Sequence, residues 1–168
     1  MNTLEPDFVE AEEALESLNF VLRHPEVPSS LAEEMERIRL IYVRGSESTK
    51  YKILTELIDI EFTGTRPLLL EVLMNDESPL LRHEAAFGLG IFKKESDREA
   101  LIEAMLHDSH EMVRHEAAIA LAEIGDEECL PALKKASQDE SVAVSSSARY
   151  AIQNIYLEAY AHSGVANV

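Results

Sequence analysis

The chain has 168 residues, 46% of them hydrophobic and 28% charged, and a formal charge of -17. That composition suits one soluble globular domain with a real core, and the charge excludes a phosphate backbone as partner, since nucleic-acid binding needs clustered Lys and Arg. There is no run of eighteen apolar residues to span a membrane, and the acidic start MNTLEPDFVEAEE lacks the apolar stretch of a secretory signal.

Helical periodicity runs through almost the whole sequence. In chain order, helices are expected near 6–23, 30–44, 49–61, 66–75, 79–92, 97–107, 110–124, 127–137 and 141–161. HPEVPSS, His24 to Ser30, reads as the linker after the first helix. Ser30-Leu-Ala-Glu33 and Ser96-Asp-Arg-Glu99 have the spacing of capping boxes. Ser78-Pro79 sets a cap before a proline suited to the first helical position. Gly64 and Gly125 are expected to stop helices. No segment alternates with period two between hairpin turns. The domain organisation expected is an N-terminal helix and linker over 1–29, a repeat domain over 30–161 and a tail over 162–168.

Self-similarity organises the repeat domain. LLLEVLMNDESPLLRHEAAFGLGIF aligns with ALIEAMLHDSHEMVRHEAAIALAEI and, more loosely, with PALKKASQDESVAVSSSARYAIQNI. Each has an apolar helix, an Asp-containing turn and a second helix with small residues midway. Ala85-Ala86, Ala117-Ala118 and the Ser147-Ala148 region are those small residues, which let stacked helices approach closely. Lys50 to Ile60 fits the second helix of an earlier repeat, whose first helix is 30–44. The fold class expected is all-α: a short right-handed α-solenoid of about four HEAT-like helix pairs plus an N-terminal helix. The period of about thirty-one residues also suits TPR units, but their Trp, Tyr and Pro pattern is missing.

Within that frame Arg-His-Glu-Ala-Ala occurs twice, with His83-Glu84 and His115-Glu116 thirty-two residues apart in sequence and equivalent in the repeat. The flanking repeats hold Lys52-Ile53 and Ser146-Ser147 there. Stacked helices lie roughly 8–10 Å apart, so two histidines at equivalent positions can lean toward one point. Two imidazoles with carboxylates beside them suit non-haem iron or manganese better than structural zinc. Neighbouring residues on a helix point about 100° apart, so a His and Glu of one pair need not share a metal face. The bland alternative is a duplicated structural motif. His107 and His110 fall at a turn and read as solvated. Cys129 lies beside Asp126, Glu127 and Glu128, which should raise its pKa and make it a poor nucleophile. A lone cysteine cannot form an internal disulfide, which points to a reducing, cytoplasmic setting.

The short repeats, LLRHEAAFGLG, and MVRHEAAIALAEIGD followed by LPALKKASQDESVAV resemble deoxyhypusine hydroxylase, over about residues 30–157. That family is an all-helical HEAT-repeat di-iron monooxygenase acting on a modified lysine of a translation factor, with four His-Glu motifs, two from each of two four-repeat halves. This chain resembles one half, down to the order of a plain repeat, two His-Glu repeats and a plain repeat. The resemblance implies His83, Glu84, His115 and Glu116 as iron ligands. With two motifs instead of four, it implies a di-iron centre shared by a homodimer, and oxygen-dependent hydroxylation of a cationic amine or lysine-derived side chain. Acidity would favour such a substrate. The other readings are a non-catalytic scaffold for a basic protein and, less well supported by residues, a bilin-lyase-like subunit.

Overall fold

A computed structural model of the chain describes residues 6–23 and 31–162. The linker His24–Ser30, the cap proposed at Ser30 and the chain beyond 162 lie outside the described residues. Every regular element among the described residues is helical. No described helix is long and apolar enough to cross a membrane. The α-helices are α1 Pro6–Arg23, α2 Leu31–Arg44, α3 Glu47–Asp59, α4 Arg66–Asn75, α5 Pro79–Phe92, α6 Arg98–His107, α7 Glu111–Ile124, α8 Leu130–Ala136 and α9 Val142–His162. Short 3₁₀ turns precede α4, α6 and α8.

Two compact units divide at Leu68 and Leu69, within the first turn of α4. In the first unit α1 packs against both α2 and α3. Its apolar face, Ala11, Ala14, Leu15 and Leu18, is buried with Ile38 and Ile41 of α2 and Ile53, Leu54 and Leu57 of α3. Asp7 ties the start of α1 to the start of α3, accepting hydrogen bonds from Ser46 N at 2.8 Å and Thr49 Oγ1 at 2.9 Å.

The second unit has the layered stacking of a helical-repeat solenoid. The second helices α5, α7 and α9 lie side by side, while α6 packs on α7, α8 on α9 and α6 on α8. The buried positions recur with helical spacing: Leu81, Ala85, Leu89 and Phe92 on α5, Val113, Ala117 and Leu121 on α7, Val144, Ala148, Ala151 and Ile155 on α9. Each large aliphatic side chain removed from water in this way stabilises the stack by about 1.5–3 kcal/mol. Small residues let α5 and α7 approach closely at a further pair: a Cβ on Gly90 would stand 3.1 Å from both Cα and Cβ of Ala120 on the neighbouring helix.

Helix ends follow local chemistry in some places and depart from it in others. Pro79 opens α5 after Ser78, although the Ser78 side chain makes no capping bond. Gly125 ends α7 in the left-handed conformation at φ 72°. The capping box expected at Ser96–Glu99 does not form. The chain enters α6 through the 3₁₀ turn Glu95–Asp97, which moves the cap to Asp97, and Ser96 Oγ bonds Asp97 Oδ1 at 3.4 Å. Gly64 does not stop α3 either: the helix ends at Asp59, and Gly64 sits inside the next 3₁₀ turn.

The turn between the two helices of each of the last two repeats is built on an aspartate with two tasks. Asp108 Oδ1 accepts from His110 N and Asp139 Oδ1 from Ser141 N, both at 2.8 Å, shaping the turn. The same carboxylates receive an arginine from the preceding repeat. Arg82 meets Asp108 at 2.7 and 2.9 Å, and Arg114 meets Asp139 at 2.8 and 3.1 Å. The third guanidinium nitrogen donates to turn carbonyls, Asp76 O for Arg82 and Asp108 O for Arg114. The arginine of each Arg-His-Glu-Ala-Ala is therefore an inter-repeat staple. A parallel link joins Arg98, at the start of α6, to Asp126 and Glu128.

Candidate metal centre

The His-Glu pairs lie on α5 and α7, one turn after the first residues of each helix. The structure gives them one shared rule: each histidine reaches forward to the second residue of the next repeat's pair. His83 Nε2 on α5 stands 3.3 Å from Glu116 Oε2 on α7. His115 Nδ1 on α7 stands 2.7 Å from Ser147 Oγ on α9. Ser147 occupies the repeat position held by Glu84 and Glu116. The contact is thus repeated, with a carboxylate in one instance and a hydroxyl in the other.

His83 is enclosed by acids on both sides of its ring. Nδ1 lies 3.4 Å from Glu84 Oε1, close enough for ion pairing, yet it is buried without a hydrogen-bond partner. The hydrogen bond to Glu116 holds the imidazole pKa above its ordinary value, against the opposing effect of burial, and Glu84 adds to the attraction. Glu116 is itself buried.

Of the four sequence candidates, His83, Glu84 and Glu116 are brought together, while His115 is bonded to Ser147. Because Glu84 and Glu116 face different nitrogens of one ring, they do not converge on a point. Among the described residues no group of three or more His, Cys, Asp and Glu side chains is arranged to hold a metal ion. The donor chemistry of His83 Nε2 with Glu116 Oε2 fits ferrous iron, but one chain brings together fewer donors than the three of a two-histidine, one-carboxylate site. Two surface hollows, of about 380 and 510 Å³, open elsewhere. They lie at the turns that join the two helices of a repeat, beside Arg82 with Asp108 and beside Arg114 with Glu140.

The remaining candidates behave as solvated or structural groups. His107 is exposed and 4.0 Å from Glu103. His110 caps α7, its Nδ1 accepting from Met112 N at 3.3 Å. The Cys129 thiol is pushed up to about 12, by burial first and by Asp126 after it. Asp126 and Glu128 act in the direction expected from the sequence but are smaller causes than burial. In the sequence Ser147 stands out only as a small residue where the His-Glu pair is broken, and the arginines of the motif carry no assigned role. The signal for Ser147 is its register with Glu84 and Glu116, and for the staples the near-equal spacing of Arg82 to Asp108 and Arg114 to Asp139, 26 and 25 residues.

A family model of HEAT repeats matches residues 66–153, more than half of the chain. The chain belongs to the HEAT-repeat family. No curated protein matches the sequence. Among solved structures, this HEAT-repeat chain is similar to human deoxyhypusine hydroxylase, in a complex with glycerol, at 23% identity and a TM-score of 0.61. The likeness covers 90% of this chain and 48% of that one, so the chain spans about half the length of the solved relative.

Proposed function

We propose that this HEAT-repeat protein binds non-haem iron through His83, Glu84, His115 and Glu116, with a second copy of the chain completing a di-iron centre. The iron would supply oxygen activation, for hydroxylation of a cationic amine or lysine-derived side chain in the cytoplasm. The observation that carries this reading is the His83 Nε2 to Glu116 Oε2 approach of 3.3 Å between adjacent repeats, which sets an imidazole nitrogen and a carboxylate oxygen face to face. A donor set short of three in one chain motivates the second copy, and two-fold dimers are the commonest closed assemblies of identical chains. The charge of -17 supports a cationic substrate.

Elemental analysis after anaerobic addition of ferrous iron, with the mass in solution measured alongside, tests the proposal. About one iron per chain in a dimer is expected, lost in His83→Ala and in His115→Ala. Iron content unchanged in both variants would refute the ligand assignment.

A second reading has its own observation. The motif arginines are staples and His115 is satisfied by Ser147, so the repeated Arg-His-Glu-Ala-Ala has structural work without metal. On that reading the protein is a non-catalytic scaffold for a basic protein partner. A folded, iron-free protein whose melting temperature does not move in ferrous iron would favour it, because a ligand that binds only the native state raises apparent stability.

A further inference from the structure

We propose that Ser147 is a positioning residue that fixes His115 as its Nδ1–H tautomer and so keeps Nε2 as the lone-pair nitrogen of the ring. The argument is a count of protons. Ser147 Oγ donates to the carbonyl of Ala143, one turn earlier on α9, at 2.9 Å. A hydroxyl has one proton to give. Sent to His115 Nδ1, 2.7 Å away, that proton would leave Oγ facing the Ala143 carbonyl oxygen with no hydrogen between them, so Oγ meets Nδ1 as an acceptor. Two lone pairs facing each other at that distance would repel, so Nδ1 carries the hydrogen. A neutral imidazole has one N–H, which leaves Nε2 unprotonated.

The surroundings hold this arrangement in place. Ser147 is 5% exposed, so solvent has little access to take over either bond. The bond back to Ala143 is the usual one for a serine inside a helix, and it anchors the hydroxyl on the backbone of α9. His83 meets its neighbour in the opposite sense. Its Nε2 faces a carboxylate, which when ionised only accepts, so that nitrogen carries a hydrogen. Two histidines in identical pentapeptides thus present different Nε2 atoms, an N–H in His83 and a lone pair in His115. The residue responsible is the one that breaks the repeat, a serine where the previous two repeats have glutamate.

A lone-pair Nε2 backed by a hydrogen bond from Nδ1–H is the form in which imidazole takes a first-row divalent metal ion. This part of the inference rests on the metal reading above; the tautomer does not. The full-length, metal-free chain labelled with nitrogen-15 gives the test, by long-range proton–nitrogen correlation at about pH 8, where an unperturbed imidazole is neutral. His115 is expected as the Nδ1–H form. Ser147→Ala should leave it a mixture, and Ser147→Thr, which keeps the hydroxyl and its bond to the preceding turn, should retain the wild-type signals. His83 serves as the internal control, unmoved in both. An Nε2–H form of His115 in the wild-type chain overturns the proposal, and so does a tautomer that Ser147→Ala leaves unchanged. If Ser147→Ala does not fold, the wild-type and Ser147→Thr spectra decide.

Anaerobic titration with Co²⁺ separates this inference from the metal reading. Ser147→Ala is expected to bind Co²⁺ about ten- to a hundredfold more weakly. Equal affinity in wild type and Ser147→Ala overturns the role of Ser147 in presenting Nε2 to a metal. The expected tautomer in a chain that takes up no Co²⁺ removes the metal reading and leaves the positioning of His115 standing. Co²⁺ uptake by a chain whose His115 is the Nε2–H form does the reverse.

Discussion

Arg82 and Asp108 join two successive repeats through two parallel hydrogen bonds, Nε to Oδ2 at 2.7 Å and Nη2 to Oδ1 at 2.9 Å. Both side chains are largely shielded from water. Planar, bidentate pairing of this kind is stronger and more directional than a surface ion pair. Arg114 and Asp139 repeat it one unit further along. Arg82→Met or Arg114→Met keeps much of the aliphatic stem but strands a carboxylate that also shapes its own turn. Each should lower unfolding free energy by about 1.5–3 kcal/mol in urea titrations. An effect below the error of the measurement would show that the staple is idle. Lys should not restore it, since an ammonium cannot reproduce the fork.

The same pairs set an acid limit. Asp139 is held below the ordinary carboxylate range by Arg114 and then, against burial, by the backbone N–H of Ser141. For Asp108 burial pushes upward, but the bonds from Arg82 and from the backbone N–H of His110 outweigh it. A carboxylate whose folded pKa is depressed contributes stability above its unfolded value, and that contribution is lost as pH falls through the folded value. Stability should therefore begin to fall as pH drops below about 4. Arg114→Met should flatten the acid slope, measured by denaturant titration at a series of pH values.

His83 has the opposite sign. Its folded pKa is raised by the hydrogen bond to Glu116, opposed by burial and helped by the charge of Glu116 and of Glu84. The pair therefore contributes fully below about pH 6.5, the unfolded histidine value, and its contribution is lost as pH rises through the raised folded value. Glu116→Gln should bring the His83 titration midpoint down in a metal-free NMR titration. A midpoint that does not move would mean that the close approach has no electrostatic weight.

Much of the fold was legible because its signals are local. The apolar spacing of Leu81, Ala85 and Leu89, the proline at Pro79 and the glycine at Gly125 act within a turn or two of their own position, and the helices fell close to where those residues place them. What was not legible is of two kinds, a local choice between two turn geometries and pairings with partners about twenty-five to thirty-three residues away. Ser96 has the right spacing for a capping box, but a 3₁₀ turn carries the chain into α6 by another route. The metal candidates were found by register, which gives equivalence between repeats and not direction. Register placed His83 and His115 as like residues. Packing joins His83 to Glu116 and His115 to Ser147, a forward step that no one-dimensional alignment contains.

Close packing of α5 on α7 makes a further prediction. A methyl group at Gly90 would be a tight fit that α7 must yield to, because the 3.1 Å contacts would fall on the backbone Cα of Ala120 as well as on its Cβ. Gly90→Ala should gain from helix propensity and lose more from overpacking, for a net destabilisation of about 1–2 kcal/mol. Ala120→Gly in the same chain should recover part of it, since one of the two contacts is removed. A fully additive pair in chemical denaturation would place the strain elsewhere.

Cys129 is the chain's one cysteine, wholly buried, with its thiol pushed up to about 12. A thiol reagent in neutral buffer can therefore modify it only when the start of α8 opens. Its rate of labelling becomes a native clock for local opening in that repeat. A cysteine placed on the surface of any other helix would meanwhile be the only fast-reacting thiol, so a probe could be attached at one chosen position without first removing the natural residue.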